Sequence, residues 1–352
     1  LSLSRDAAVR GRRAAYRGVR SGSGGDGLTG FRMTDDAVSR AWTLLRSGQP
    51  EQAMDLLGRE AGRGNPGALE MLAEMALTGE FVHRDLALSR DLYARAAAAG
   101  SASAAAAYRA FVANGTGGPS DWGQAMQLLA AAAPTDPQAA ADQAVLGKMK
   151  LGPQGHPLHQ LQSEQLSSSP DIKLFPKIFT HEECEFLIAR SAPRLEASLV
   201  IDPQTGEQVP NPVRTSHAAI YPLMAQSPAI HALNIRLASA SGTAVGQGEP
   251  LQVLRYSTGQ EYRPHIDAIA DAGNQRILTF LVYLNDDYDG GETEFLATGL
   301  RLKGAKGDGV LFRNADPGGY PDPNARHAGL PVTSGEKYLA SRWIRQRPMP
   351  LG

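Results

Sequence analysis

Four side chains at fixed separations offer chemistry in this sequence: His265 and Asp267 with one residue between them, then His327, then Lys337. Two imidazoles and one carboxylate can hold one face of a non-haem Fe(II) and leave its other positions open. An ammonium beyond the second histidine can bind the far carboxylate of a diacid such as 2-oxoglutarate. Together they point to an oxygenase. Each residue also has an ordinary reading. The chain holds 8 histidines, so a single His-x-Asp is weak evidence, and His83-Arg84-Asp85 is a second one. His327 alone reads as a half-buried strand histidine. Lys337 alone reads as a solvated turn residue after Ser334-Gly335-Glu336.

Placement separates the two His-x-Asp pairs. His83 and Asp85 precede a helical stretch, where residues i and i+2 face different ways, and Asp85 is expected to serve as a cap or turn residue. His265 and Asp267 follow Gly259 and Pro264 at the end of a strand-like stretch, where i and i+2 share a side. The third ligand must then come from another strand. Ten residues from His327 to Lys337 suffice for a hairpin that returns the chain beside the metal.

Bulk properties set the frame. At 352 residues the chain has room for two cores. A net charge of −1 argues against nucleic acid or an anionic membrane surface as partner. The one cysteine, Cys184, excludes an internal disulfide framework and fits a reducing, cytoplasmic location. No apolar run approaches the roughly 18 residues of a membrane span. Residues 1–32 carry Arg5, Arg10, Arg12, Arg13, Arg17 and Arg20 and then a Gly/Ser-rich run, which reads as a disordered basic tail or as sequence upstream of a start at Met33, with a basic transit peptide as the less favoured alternative.

Two regions must position the chemistry. Residues 33–150 are Ala- and Leu-rich with helical spacing, and a shift of 36 superposes them on themselves. It aligns Ala53, Ser89 and Ala125; Leu57, Tyr93 and Leu129; and Ala68, Ala104 and Ala140. Small residues at matched positions let helices approach and large ones fill the seams, so the expectation is an α-solenoid of helix hairpins. The stretch DLALSRDLYARAAAAG (85–100) resembles the Sel-one-like class of tetratricopeptide-related repeats. That resemblance implies a face for a peptide or protein partner. Residues 151–170 read as a Gly/Pro/Ser linker. Beyond them, LQVLRYS (251–257) and ILTFLVYL (277–284) suit buried strands, broken by NDDYDGG and KGAKGDG turns. Thr180 and Glu183 have capping-box spacing for a helix from His181. Residues 171–347 are therefore expected to form a jelly-roll β-domain with flanking helices, followed by a short tail, 348–352. The class is α+β, multidomain.

The segments YSTGQEYRPHIDAI (256–269), QRILTFLVYLNDDYDGGETEF (275–295), GDGVLF (307–312) and RHAGLPVTSGEKYLASRWI (326–344) resemble the prolyl 4-hydroxylase branch of the Fe(II)/2-oxoglutarate dioxygenases. FPKIFTHEECEFLI (175–188), LEASLV (195–200) and RTS (214–216) extend the likeness upstream. The resemblance implies a double-stranded β-helix with His265, Asp267 and His327 as iron ligands. It implies that Lys337 binds the distal carboxylate of 2-oxoglutarate, with Tyr256 and Thr293 assisting and Ser341 near the cosubstrate. Tyr262, Arg276 and Trp343 would line the substrate groove. It further implies O2 as oxidant, ascorbate as reductant, and succinate and CO2 as co-products. Two departures bear on the substrate: a short loop between Asp267 and Arg276, and a Gly/Pro-rich stretch at 315–323 after Arg313.

Hydroxylation of a prolyl residue in a protein or peptide recruited by the repeats is the leading expectation. Hydroxylation of a free amino acid or other small metabolite is the second, and a non-catalytic interaction scaffold the third. Oligomeric state leaves no mark in the sequence.

Overall fold

The computed structural model describes residues 36–158, 161–201, 208–210, 213–269 and 273–349. The basic segment 1–32 lies outside them, as do 270–272 of the short loop and 350–352 of the tail. The chain divides into two compact units. One extends to Ala131 and takes in Leu223–Pro228; the other comprises Ala132–Pro222 and Ala229–Met349.

The first unit is helical, and its helices keep the period of the sequence. Pro50–Gly62, Leu86–Ala98 and Trp122–Ala132 begin 36 residues apart. Pro66–Thr78 and Ala102–Asn114 do the same. Matched caps start and stop the latter two. Asn65 accepts from the Ala68 N–H and Ser101 from the Ala104 N–H, while Gly79 and Gly115 end them in the left-handed region. The aligned Ala53, Ser89 and Ala125 are fully buried, and so are Leu57, Tyr93 and Leu129. Ser89 fits an alanine position because its hydroxyl donates to the Ala73 carbonyl at 2.8 Å.

The third repeat slips. Ala68 and Ala104 are buried, but Ala140 is exposed and Ala139 takes the buried place. Pro134 cannot continue a helix, so Trp122–Ala132 stops early. Asp136 then caps Pro137–Leu146 one residue ahead of register. That last helix belongs to the second unit, so the unit boundary precedes residue 150.

The second unit is built on two main antiparallel sheets, with two-stranded ribbons pairing Asp289–Gly290 with Val332–Ser334 and Leu199–Ile201 with Gln208–Pro210 beside them. The major sheet runs in the order Glu164–Ser168, Asp171–Phe175, Gly309–Arg313, Arg276–Tyr283, Glu336–Arg345, Leu251–Ser257, His217–Tyr221 and Glu196–Ala197. Its first strand falls inside the stretch expected to be linker. The minor sheet runs Leu300–Leu302, Thr293–Phe295, His327–Gly329 and Tyr262–His265. Two facing sheets with this connectivity make the expected jelly roll.

Helices His181–Ser191 and Pro228–Ser241 flank it. Thr180 and Glu183 form the capping box read from the sequence. Glu183 is used twice, for it also pairs in buried surroundings with Arg236, whose Nη2 donates to Oε1 at 2.8 Å. On the face of Glu336–Arg345 turned from the minor sheet, buried Arg342 donates to the carbonyls of Asn234, Val245 and Glu249.

Candidate metal and cosubstrate site

Strand register assembles the site. His327 stands directly opposite His265 in the minor sheet. Facing residues in an antiparallel pair have neighbouring side chains, and the two rings lie 4.3 Å apart between centroids. Asp267 sits just past the end of the strand, in a bend, rather than within it. Its Oδ1 is 3.5 Å from His265 Nε2 and its Oδ2 is 3.7 Å from His327 Nε2. Among the described residues, these three form the group of His, Cys, Asp or Glu side chains that gathers closely enough to hold an ion, with one donor atom from each within 4.8 Å of the others.

The histidines are oriented from behind. His265 Nδ1 lies 2.8 Å from the Arg263 carbonyl and His327 Nδ1 lies 3.0 Å from that of Ala325. A carbonyl only accepts, so each Nδ1 carries the proton and each Nε2 keeps a lone pair for a metal. Burial pushes the His327 pKa down against the opposing pull of Asp267, which favours the neutral ligand form. Burial works to raise the Asp267 carboxyl, but the adjoining His265 and His327 imidazoles and the Thr279 hydroxyl hold it well below the usual carboxylate range. Tyr262 stacks on His265 with ring centroids 3.5 Å apart and planes 15° off parallel.

The adjacent cavity is lined from both sheets. Lys337, Leu339, Ser341 and Trp343 alternate along one strand and so share one face. Leu254 and Tyr256 lie opposite Leu339 and Lys337 on the neighbouring strand. Lys337 is buried and donates to the Gly291 carbonyl at 2.6 Å. Among the described residues no carboxylate comes within ion-pair distance of it. Burial pulls its pKa down to about 8, with Glu292 opposing. The neighbouring Tyr256 phenol is pushed up to about 12 by burial, so it stays protonated and can donate. Two glycines shape the approach. Gly290 and Gly291 adopt φ of +67° and +68°, and a Cβ at Gly290 would stand 2.5 Å from the Pro331 carbonyl oxygen.

The residues expected from the sequence fall into two groups. Tyr256, Tyr262, Thr293, Ser341 and Trp343 line the same cavity as His265, Asp267, His327 and Lys337. Ser341 is four residues from Lys337 on its strand, roughly 13 Å, and so meets a different part of the cavity. Arg276 is set back from the lining. It binds Glu249 through both Nε and Nη2, at 2.6 and 2.9 Å, and lies 3.7 Å over the Trp343 ring. Sequence reasoning missed Arg214, which also lines the cavity, and Tyr283, whose hydroxyl donates to Thr293 Oγ1 at 3.0 Å. Arg214 lay within the RTS stretch, but nothing in that stretch said where its side chain goes. Tyr283 was visible as a strand residue only.

Residues 251–345 match the model of the 2OG-Fe(II) oxygenase superfamily. Prolyl 4-hydroxylase 1 of Arabidopsis thaliana is 39% identical over 206 residues, which cover 53% of this chain and 73% of that protein. The chain belongs to the prolyl 4-hydroxylase family of 2OG-Fe(II) oxygenases. Within this family it also resembles probable prolyl 4-hydroxylase 10 of the same plant, at 34% identity over 52% of this chain and 71% of the relative. A solved structure of the viral collagen prolyl hydroxylase of Paramecium Bursaria Chlorella virus-1, as its 2OG complex, aligns with 26% identity and a TM-score of 0.40 over 49% of this chain and 95% of that one. Family membership brings Fe(II), 2-oxoglutarate and O2 as the reaction's iron, cosubstrate and oxidant.

The residues present fit those groups. Two Nε2 lone pairs and a carboxylate, with no thiolate among them, suit Fe(II) and leave positions open. A buried ammonium without a carboxylate partner suits the far end of a diacid, because each charge would relieve the other's burial.

Proposed function

We propose that this protein hydroxylates a prolyl residue in a protein or peptide, using Fe(II), 2-oxoglutarate and O2 and releasing succinate and CO2. The observation that carries the reading is the sharing of one cavity by the His265, Asp267 and His327 donor set and the buried Lys337. In this reading the three donors hold iron. Lys337 holds the distal carboxylate of the keto acid, and Tyr256 and Thr293 donate to its remaining lone pairs. Ser341 meets the keto acid away from Lys337. Bound iron and keto acid supply the oxidising power that no side chain has.

The chain's own residues orient and exclude. Leu254, Leu281 and Leu339 make the cavity walls apolar, which strengthens every charge interaction inside. Tyr262 and Trp343 present flat faces against which a pyrrolidine ring packs. Arg276, fixed by Glu249, backs Trp343 and acts on the substrate through it. Ascorbate would serve as the reductant that keeps bound iron ferrous. The single cysteine, buried Cys184, supports a reducing cytoplasmic setting.

The helical unit belongs to the proposal as the recruiter of a protein substrate, a role that Sel-one-like repeats would suit. Its repeating helices and matched caps support it. The test uses purified protein with Fe(II), 2-oxoglutarate, ascorbate and proline-containing peptides. We expect prolyl residues to gain one oxygen atom, with succinate formed in equal amount. Oxygen gain on a free amino acid or a non-prolyl side chain, with none on any prolyl peptide, contradicts the substrate assignment.

A further inference from the structure

Behind Asp267 lies a buried polar chain that the site as described leaves unused. Thr279 Oγ1 donates to Asp267 Oδ2 at 2.6 Å. Asn314 Nδ2 donates in turn to Thr279 Oγ1 at 2.7 Å. Thr279 is 1% exposed and Asn314 fully buried, so water does not compete for these bonds. We propose that Thr279 and Asn314 are positioning residues that set the plane of the Asp267 carboxylate and present Oδ1 to the iron. This inference rests on the iron reading of the site.

The direction of each proton follows from simple inventory. A threonine hydroxyl has one proton and an ionised carboxylate has none. Thr279 must therefore donate to Asp267. With its proton committed there, it can only accept from Asn314, and only the amide nitrogen can give. The opposite amide orientation would set two acceptors against one hydroxyl proton. Asn314 thus determines where the Thr279 proton points, and Thr279 determines which carboxylate oxygen is occupied. Oδ2 carries the hydrogen bond; Oδ1, 3.5 Å from His265 Nε2, has no hydroxyl donor among the described residues.

The backbone explains why the chain can hold this arrangement. Thr279 lies opposite Phe312 between two strands of the major sheet, with Leu281 and Tyr283 following on the same face. Asn314 is tied at both backbone groups: its N–H donates to the Ile277 carbonyl and its carbonyl accepts from Asp322 N–H, each at 2.8 Å. The second of these bonds closes the 315–323 stretch, in which Ala315 also bridges Pro321. The departure noted in the sequence is therefore fastened to the residue that aims the iron ligand. Asp267 itself lies beyond its strand and lacks the ladder that fixes His265. A side-chain support in place of a backbone one is what that position requires.

The test is anaerobic titration of the apo full-length chain with Co(II), followed by the visible ligand-field spectrum, for the native protein and for Thr279→Val, Thr279→Ser and Asn314→Leu. We expect Thr279→Val, which keeps the shape and loses the donor, to weaken Co(II) binding by about 10- to 100-fold, the usual cost of removing a group behind a metal ligand. Thr279→Ser restores the hydroxyl and is expected to return both affinity and spectrum close to native. Asn314→Leu is expected to fall between them, with an altered spectrum. Native-like affinity and spectrum in Thr279→Val overturns the proposal. So does equal loss in the Ser and Val variants, because that would assign the effect to packing. Should Thr279→Val not fold, a native spectrum in soluble Asn314→Leu overturns it and a shifted spectrum supports it. Failure of the native protein itself to bind Co(II) would instead remove the iron reading and this inference with it.

Discussion

The same His-x-Asp motif occurs in both units of this protein and does entirely different things in them. In the helical unit Asp85 caps the helix Leu86–Ala98 by accepting from the Leu88 N–H, and His83 is exposed before it. In the β-unit Asp267 is buried, and His265 faces a third residue, His327, brought from more than sixty positions away by strand pairing. The spacing is identical; the register is not. In the repeat array a position is defined by its copy one period along. In the jelly roll it is defined by whichever residue lies across the sheet.

Removing one histidine from each motif should separate the two settings by the largest effect. His265→Ala is expected to reduce succinate formation below detection, while His83→Ala leaves it at the native level. Comparable loss from both would mean that the motif, and not its setting, carries the chemistry.

Lys337 tests the cosubstrate end. Lys337→Ala is expected to raise the KM for 2-oxoglutarate by about 10- to 100-fold, the worth of a charge-assisted hydrogen bond in buried surroundings. The pH dependence follows from its lowered pKa of about 8. Below that value the ammonium is present and the KM should be flat. Above it the free enzyme loses the charge, and the KM should climb by up to about tenfold per pH unit. Stability runs the other way. A buried lysine with a lowered pKa penalises the fold at low pH, so the contribution present above the ordinary lysine value is lost as pH falls through about 8. Urea melts of the apo protein across this window check that sign.

Smaller effects come from backbone devices, and they should stay within their own units. Gly290→Ala forces a left-handed residue against the Pro331 carbonyl and is expected to cost about 1–3 kcal/mol. It should also raise the 2-oxoglutarate KM modestly, since the adjoining Gly291 carbonyl holds Lys337. Asn65→Ala removes a helix cap and is expected to cost about 1 kcal/mol without altering turnover of a short peptide. Thermal melts paired with peptide assays separate the two outcomes.

The helical unit was legible because its signal is local. A shift of 36 located the buried Ala53, Ser89 and Ala125, and failed at Ala140 only where Pro134 shortened a helix. In the β-unit residue types and the family resemblance named the candidate ligands, and the structure adds that alternation puts Lys337 and Ser341 on one face of their strand. What stayed hidden depends on side-chain direction across sheets. Neither the clamp of Glu249 on Arg276 nor the chain from Asn314 through Thr279 to Asp267 has any trace in sequence spacing. The strand Glu164–Ser168 was missed because its serines and the following proline read as linker, whereas pairing along one sheet edge suffices to order it.

His265, Asp267 and His327 are read as holding one ion, with the diacid anchored on Lys337. A crystal structure of the protein grown anaerobically with Mn(II) and 2-oxoglutarate tests this most directly. We expect one metal bound by the two Nε2 atoms and the Asp267 carboxylate, with the far carboxylate of the keto acid on Lys337 Nζ. Metal bound elsewhere, or keto acid seated away from Lys337, would contradict it.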